Sequence, residues 1–176
     1  MFGRSTQYLQ LDGVKKIIFL ELLQITQWRY MYKVIKTDSN IVRPLRHKVL
    51  RPNLSYEASI MPLDNHPETA HFVVKKNSKI LSVASVYHED FEEMPHKISH
   101  RLRGMATEPT EQGKGFGAMV LLGLIDYLKK NTSAEILWCN ARVTAFGFYE
   151  KMGFSILGDI FEIPNIGPHK KGYIEL

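Results

Sequence analysis

A chain of 176 residues, 44% hydrophobic and 23% charged, is long enough for one sizeable core and too balanced for disorder, collagen or a coiled coil. Its formal net charge of +5 comes from scattered Lys and Arg with no run of five, a balance that attracts an anionic ligand without marking a nucleic-acid surface. Cys139 is the only cysteine, so no internal disulfide forms, as expected in a reducing compartment.

Residues 1–30 read as an N-terminal extension, with Val14 to Thr26 expected as a short helix. The apolar run from Ile17 to Ile25 follows two lysines, yet Glu21 interrupts it and no small-residue cleavage site follows. It is also shorter than the roughly 20 residues of a membrane span. The expectation is a cytoplasmic protein without a membrane partner.

Residues 31–176 read as a single domain. Tyr32 to Ile35 is expected as a strand, and Asp38, Ser39 and Asn40 offer N-caps for a helix with apolar positions at Ile41, Leu45, Val49 and Leu50. Arg51 to Pro67 is proline-punctuated and irregular, the kind of long loop that carries function. Thr69 to Val74 and Lys79 to Tyr87 form a strand pair around a Lys76-Asn77-Ser78 turn. His88 to Ser99 is a connection, and Arg101 to Ala106 a further strand. Gly115 to Lys130 is the strongest helix, with Ala118, Leu121, Leu122, Ile125 and Leu128 on one face. Ile136 to Cys139 is a short strand and Arg142 to Met152 a second helix, ended by Gly153. Phe154 to Ile163 and Tyr173 to Leu176 complete a mixed α/β sheet with helices on its faces.

Between a strand and the strongest helix lies Gln112-Gly113-Lys114-Gly115-Phe116-Gly117. Glycines let backbone approach a ligand, and the helix start adds free N–H groups and the positive dipole end, which together suit a pyrophosphate. A P-loop needs Ser or Thr after Gly-Lys, and Gly115 stands there. A dinucleotide fold needs an acidic residue at the end of the next strand, and Cys139 and Asn140 stand there.

This loop resembles the acyl-CoA pyrophosphate loop of the GCN5-related N-acetyltransferases (GNAT): Arg or Gln, two residues, Gly, one residue, Gly or Ala. The resemblance continues through Trp138-Cys139-Asn140-Ala141-Arg142 and Phe148-Tyr149-Glu150-Lys151-Met152-Gly153-Phe154, covering about Tyr32 to Leu176. It implies a central mixed, mostly antiparallel twisted sheet with helices on both faces. It also implies an acetyl-CoA-dependent transferase that passes acetyl directly to a primary amine of a small molecule or peptide, with no metal and no nucleic acid, and it is compatible with a homodimer.

The resemblance places roles residue by residue. Gly104 marks a bulge, and backbone at Met105, Ala106 and Thr107 binds the pantetheine arm, the Met105 N–H polarising the thioester carbonyl. Gln112, Gly113, Lys114, Gly115, Phe116 and Gly117 hold the pyrophosphate; Lys114 is alternatively a solvated lysine. Asn140 hydrogen-bonds pantetheine or acetyl amide groups, or caps the following helix. Tyr149 is the general acid at the departing sulfur, and also contacts the cofactor. No base stands out among Glu108, Glu111, His100, His169 and water. Glu57 and Asp64 are candidates to attract an ammonium, and the turn from Ile163 to His169 is expected to line the acceptor pocket. The alternative is a non-catalytic acyl-CoA sensor that shares the glycine loop without using Tyr149.

Overall fold

The computed structural model describes residues 32–176; the expected extension and its helix lie outside the described residues. Val34–Leu176 form one compact unit. Seven strands run β1 (Lys33–Thr37), β2 (Ala70–Lys76), β3 (Lys79–His88), β4 (Ser99–Thr107), β5 (Ile136–Arg142), β6 (Ser155–Ile163) and β7 (Gly167–Glu175). Three α-helices accompany them: α1 (Ser39–Leu50), α2 (Phe116–Asn131) and α3 (Phe146–Lys151). The sheet order is β1-β2-β3-β4-β5-β7-β6. β2/β3, β3/β4, β5/β7 and β6/β7 are antiparallel, and β4/β5 is parallel. Among the described residues no helix is long and apolar enough to cross a membrane.

Successive strand residues face opposite sides of a sheet, and β2 shows both sides in use. Val73 packs with Val42 and Leu45 of α1, Val83 and Ala106. Its neighbour Phe72 meets Tyr127 of α2, ring centroids 5.2 Å apart. The two long helices therefore cover opposite faces, as the resemblance implied.

Three expectations need correction. β5 runs on to Arg142, which was expected to begin a helix, because every residue from Ile136 to Arg142 pairs with β7. Only Phe146–Lys151 is α-helical, after a 3-10 turn at Val143–Ala145. β7 begins at Gly167 rather than near Tyr173. Its polar Pro168-His169-Lys170-Lys171 run reads as loop, but β5 and β6 satisfy its backbone from both sides. The expected acceptor-pocket turn is thus the tip of a β6–β7 hairpin, with Asn165 in the left-handed region (φ 62°).

The third of these surprises lies in the core. Arg46 of α1 is fully buried beside Val42 and Leu45. Its Nη1 donates to both oxygens of Asp64, at 2.9 and 2.7 Å, and to the Ser59 carbonyl at 3.0 Å. Its Nη2 donates to Ser85 Oγ at 2.8 Å. That hydroxyl lies 2.7 Å from His71 Nδ1, while His71 Nε2 donates to the Asp64 carbonyl at 2.8 Å. The Tyr87 hydroxyl and the Met61 amide also donate to Asp64, at 2.7 and 2.9 Å. Burial opposes ionisation of Asp64, but these donors outweigh it and hold its carboxyl below the usual range. Asp64 is therefore a core anion and not a site for a substrate ammonium.

A buried pair deprived of one partner leaves an uncompensated charge, which costs about 3–5 kcal/mol. Asp64→Ala is expected to lose stability of that order in urea denaturation. The double variant Arg46→Met with Asp64→Leu is expected to regain most of it, since the orphan charge is gone.

Candidate active site

The central event is the parting of β4 and β5. They pair at only three positions, Ser99 with Ile136, His100 with Leu137 and Arg101 with Trp138. Beyond these, β5 stays with β7 to Arg142 while β4 continues with β3 to Thr107. From Leu102 onward the β5-facing edge of β4 has no strand partner, so its backbone groups are open to an extended ligand.

A bulge sits at the start of this open edge. Val83 faces Ala106 and Ser85 faces Arg103, so Ala84 alone stands opposite Gly104 and Met105. Such an insertion kinks and twists the strand. Gly104 has φ +58°, and a Cβ there would lie 2.4 Å from Arg46 Nε. The glycine expected as a bulge from sequence is thus required both by its backbone and by the buried arginine beneath it.

Past the end of β4 the chain turns through Pro109–Glu111 into the glycine loop. Gly113 and Gly115 both adopt left-handed conformations, φ +75° and +85°, and Gly115 is the N-cap of α2. A Cβ at Gly113 would meet nothing within 4 Å, so that face is open. At Gly117 a Cβ would touch Met105 Cε and Thr107 Oγ1 at 3.3 Å, which shows how closely α2 abuts the open strand. Phe116 is buried and anchors the helix start. Gln112 turns back to donate from Nε2 to the Thr107 carbonyl at 3.3 Å. Lys114 is exposed and pairs with Glu111 at 2.9 Å. Met105, Ala106, Thr107 and the loop from Gln112 to Gly117 therefore form one continuous surface of strand edge, turn and helix start.

Asn140 stands across the opening, on β5. It does not cap a helix, because the following 3-10 turn is preceded by Arg142 and has no side-chain cap bond. Its Oδ1 is buried without a hydrogen-bond partner. An orphaned buried acceptor costs free energy unless a ligand N–H reaches it.

The parted strands enclose a cavity of about 190 Å³, lined by Gly104, Met105, Asn140, Tyr149 and His169 among others. The end of α1 and the β6–β7 turn close it, through Leu50 and Arg51 on one side and Ile163 and Ile166 on the other. The Arg51–Pro67 stretch and the hairpin tip expected to shape an acceptor pocket do converge here. Glu57 does not line it.

Tyr149 is buried on α3, near the Cys139 thiol. Burial, and then the Cys139 partner, raise its pKa well above that of a free phenol, so it keeps its proton. Burial pushes the Cys139 thiol up to about 12, which leaves it no nucleophile. His169 faces Arg142 in the β5/β7 ladder. Its Nδ1 lies 2.7 Å from the Gly167 carbonyl, an acceptor, so Nδ1 carries the hydrogen and Nε2 the lone pair. Burial lowers the His169 pKa, and the Arg142 charge adds to this against the opposing effects of the Gly167 bond and Glu162. The ring is neutral at physiological pH.

The other base candidates are placed elsewhere. Glu108 pairs with Lys48 at 2.6 Å, and Glu111 with Lys79 at 2.9 Å as well as with Lys114. His100 stacks on His88, centroids 5.0 Å apart, and is not part of the cavity wall. Four arginines in the wall, Arg51, Arg101, Arg103 and Arg142, escaped the sequence reading. Arg142 lies in the quoted Trp138–Arg142 segment without a role assigned to it, and only the fold brings the four together.

Comparison with known proteins follows this geometry. The model of the acetyltransferase (GNAT) family matches residues 28–154. An uncharacterized N-acetyltransferase of Bacillus subtilis (strain 168), YitI, is 31% identical over 125 residues, 71% of this chain and 83% of that protein. Among solved structures, an acyl-CoA N-acyltransferase from Pseudomonas aeruginosa superposes with a TM-score of 0.64 at 12% identity, covering 81% of this chain and 98% of that one. A spermidine N-acetyltransferase SpeG variant from Vibrio cholerae superposes at 0.62 and 17%, covering 84% and 95%.

Two glycine variants separate backbone strain from steric fit. A left-handed non-glycine residue costs about 1–2 kcal/mol. Gly113→Ala, with open space around it, is expected to lose no more than that in urea denaturation. Gly104→Ala also collides with Arg46 and is expected to lose measurably more.

Proposed function

The chain belongs to the acetyltransferase (GNAT) family and is an N-acetyltransferase, and we propose that it is acetyl-CoA-dependent, passing acetyl directly to the primary amine of a small molecule or peptide. The observation that carries this reading is the open β4 edge, running without interruption into the two left-handed glycines at the start of α2. The orphaned Asn140 Oδ1 supports the fit, since the group to be held has amide N–H donors along its length. The solved enzyme named for spermidine supports an amine as acceptor.

Acetyl-CoA would supply an activated acyl thioester. In our reading Gln112, Gly113, Lys114, Gly115, Phe116 and Gly117 hold its pyrophosphate, with backbone N–H groups at the helix start as the main donors. Lys114 adds charge after leaving Glu111, its partner in the free protein. Met105, Ala106 and Thr107 align the pantetheine arm as an added strand, and Asn140 accepts from one of its amides. The Met105 N–H polarises the acyl carbonyl, a stabilisation that a preorganised backbone donor supplies without a side chain.

Two proton movements remain. The attacking amine has to lose a proton, and His169 Nε2 is the neutral, unprotonated nitrogen in the cavity wall that can take it. The departing sulfur needs a donor, and Tyr149 is a phenol held protonated in the same wall. Cys139 itself takes no part, because a thioester is already activated.

The reading is tested by thermal shift with coenzyme A and by release of free thiol from acetyl-CoA across a panel of amines; a folded protein with no affinity for coenzyme A at millimolar concentration would overturn it. Tyr149→Phe is expected to lower kcat by roughly 100-fold or more while the coenzyme A shift persists. A proton-accepting His169 predicts an acid limb in kcat/KM below its ordinary value of 6.5. The sign follows from the neutral ring being active: rate falls as pH drops through the lowered pKa. In His169→Gln that limb should vanish, and its persistence would assign the base elsewhere.

A further inference from the structure

We propose that the acceptor amine carries an anionic group, a carboxylate or a phosphate, held by Arg51, Arg103 and Arg142 in the cavity wall. The proposal rests on the acyltransferase reading above and specifies its second substrate.

The cavity is one-sided in charge. Four guanidinium groups line it, and no Asp or Glu does. Arg101 is accounted for: it pairs with Glu89 and lies over the Trp138 ring at 4.3 Å. Among the described residues the other three have no carboxylate within ion-pair distance. Arg51 donates to the Ala58 carbonyl, and Arg142 Nη2 to the Leu50 carbonyl at 2.8 Å. Each guanidinium has five N–H donors, so most of their capacity is unused. Among the described residues Arg103 has no hydrogen-bonded carboxylate, and the Tyr87 ring lies 6.0 Å from its Cζ.

These three charges also act on one another. Burial and the positive neighbours Arg46 and Arg142 lower the pKa of Arg51. Burial and Arg101 lower that of Arg103 against the opposing Glu89 charge, with Arg51 among the lesser causes. Clustered, half-buried cations are costly unless an anion completes them, and guanidinium groups match carboxylate and phosphate oxygens in bidentate fashion. The position of the cluster separates this anion from the cofactor's own phosphates. Gly113 to Gly117 lie outside the cavity wall, whereas the arginines share it with Tyr149 and His169. A polyamine or a lysine chain gains nothing from such a wall, because its remaining charges are repelled. The volume of about 190 Å³ is below the roughly 300–1,000 Å³ of drug-sized sites and is shared with the acyl end of the cofactor at Met105 and Asn140, which leaves room only for a small amine with its anion close by.

The test follows thiol release from acetyl-CoA with the twenty common α-amino acids, their α-amides, O-phosphoethanolamine, ethanolamine and spermidine. The expected result is turnover of at least one anionic amine with kcat/KM tenfold or more above its neutral counterpart. The carboxylate and phosphate arms identify which anion is meant. Arg103→Met should raise KM for that amine by roughly 10–100-fold, as expected for loss of a charge-assisted hydrogen bond, with KM for acetyl-CoA unchanged. Arg51→Met serves the same purpose if the first variant fails to fold. Equal or better turnover of neutral amines or spermidine overturns the proposal. So does a preference for succinyl-CoA with a neutral amine, which would put the anion on the acyl group.

If no amine in the panel turns over, the coenzyme A-saturated enzyme is titrated calorimetrically with N-acetylglycine, N-acetylglycinamide and inorganic phosphate. Binding of either anion but not the amide, weakened in Arg103→Met, sustains the proposal. No anion binding by protein that still binds coenzyme A overturns the proposal and leaves the acyltransferase reading standing. Protein that binds neither defeats both.

Discussion

Everything in this site depends on a buried ion pair lying beneath a strand bulge. Arg46 and Asp64 meet at 2.7 Å, both almost fully excluded from solvent. Ion pairs in that setting stabilise only when their remaining donors and acceptors are also satisfied. Here Ser59, Ser85, Tyr87 and the Met61 amide supply most of the partners. The guanidinium then occupies the space that a side chain at Gly104 would need, so bulge and ion pair specify each other. The pair ties α1, the Arg51–Pro67 stretch and β3 to the point where β4 leaves β5. Two walls of the cavity are thereby fixed relative to its floor.

The charges of the molecule are sorted by the same framework. Asp64, Glu89, Glu108 and Glu111 are each engaged by Arg or Lys, which removes them as bases or ammonium receptors. The wall that holds Tyr149 and His169 carries only positive or neutral side chains. Arginines, a protonated phenol and a neutral imidazole share that one wall, and the glycine loop at the start of α2 lies outside it.

Much of this was legible in the chain. The glycine spacing of Gln112 to Gly117 before a strongly periodic helix announced a tight turn into a helix start, because left-handed backbone and a helix start are local properties. Gly104 in a strand announced a bulge for the same reason. The role of Tyr149 was legible only through resemblance, since a tyrosine on an apolar helix face reads equally as core. The polar start of β7 was not legible as a strand: its residues have no strand pattern of their own and are held by two neighbours, far off in sequence at β5. Asp64 was misread for a related reason, as a charge is expected at the surface unless a partner is known, and its partner Arg46 drew no reading at all.

The sequence by itself determined the apolar periods of most helices and strands and the glycine turn that precedes α2. All of these follow from interactions among residues within about a turn or two of one another. Tertiary structure alone decided that Arg51, Arg103, Arg142 and His169 face one cavity, that Asn140 Oδ1 is left without a partner, and that Asp64 is spoken for. Burial and electrostatic pairing depend on distance through space, and these residues come from segments that only the folded sheet brings together.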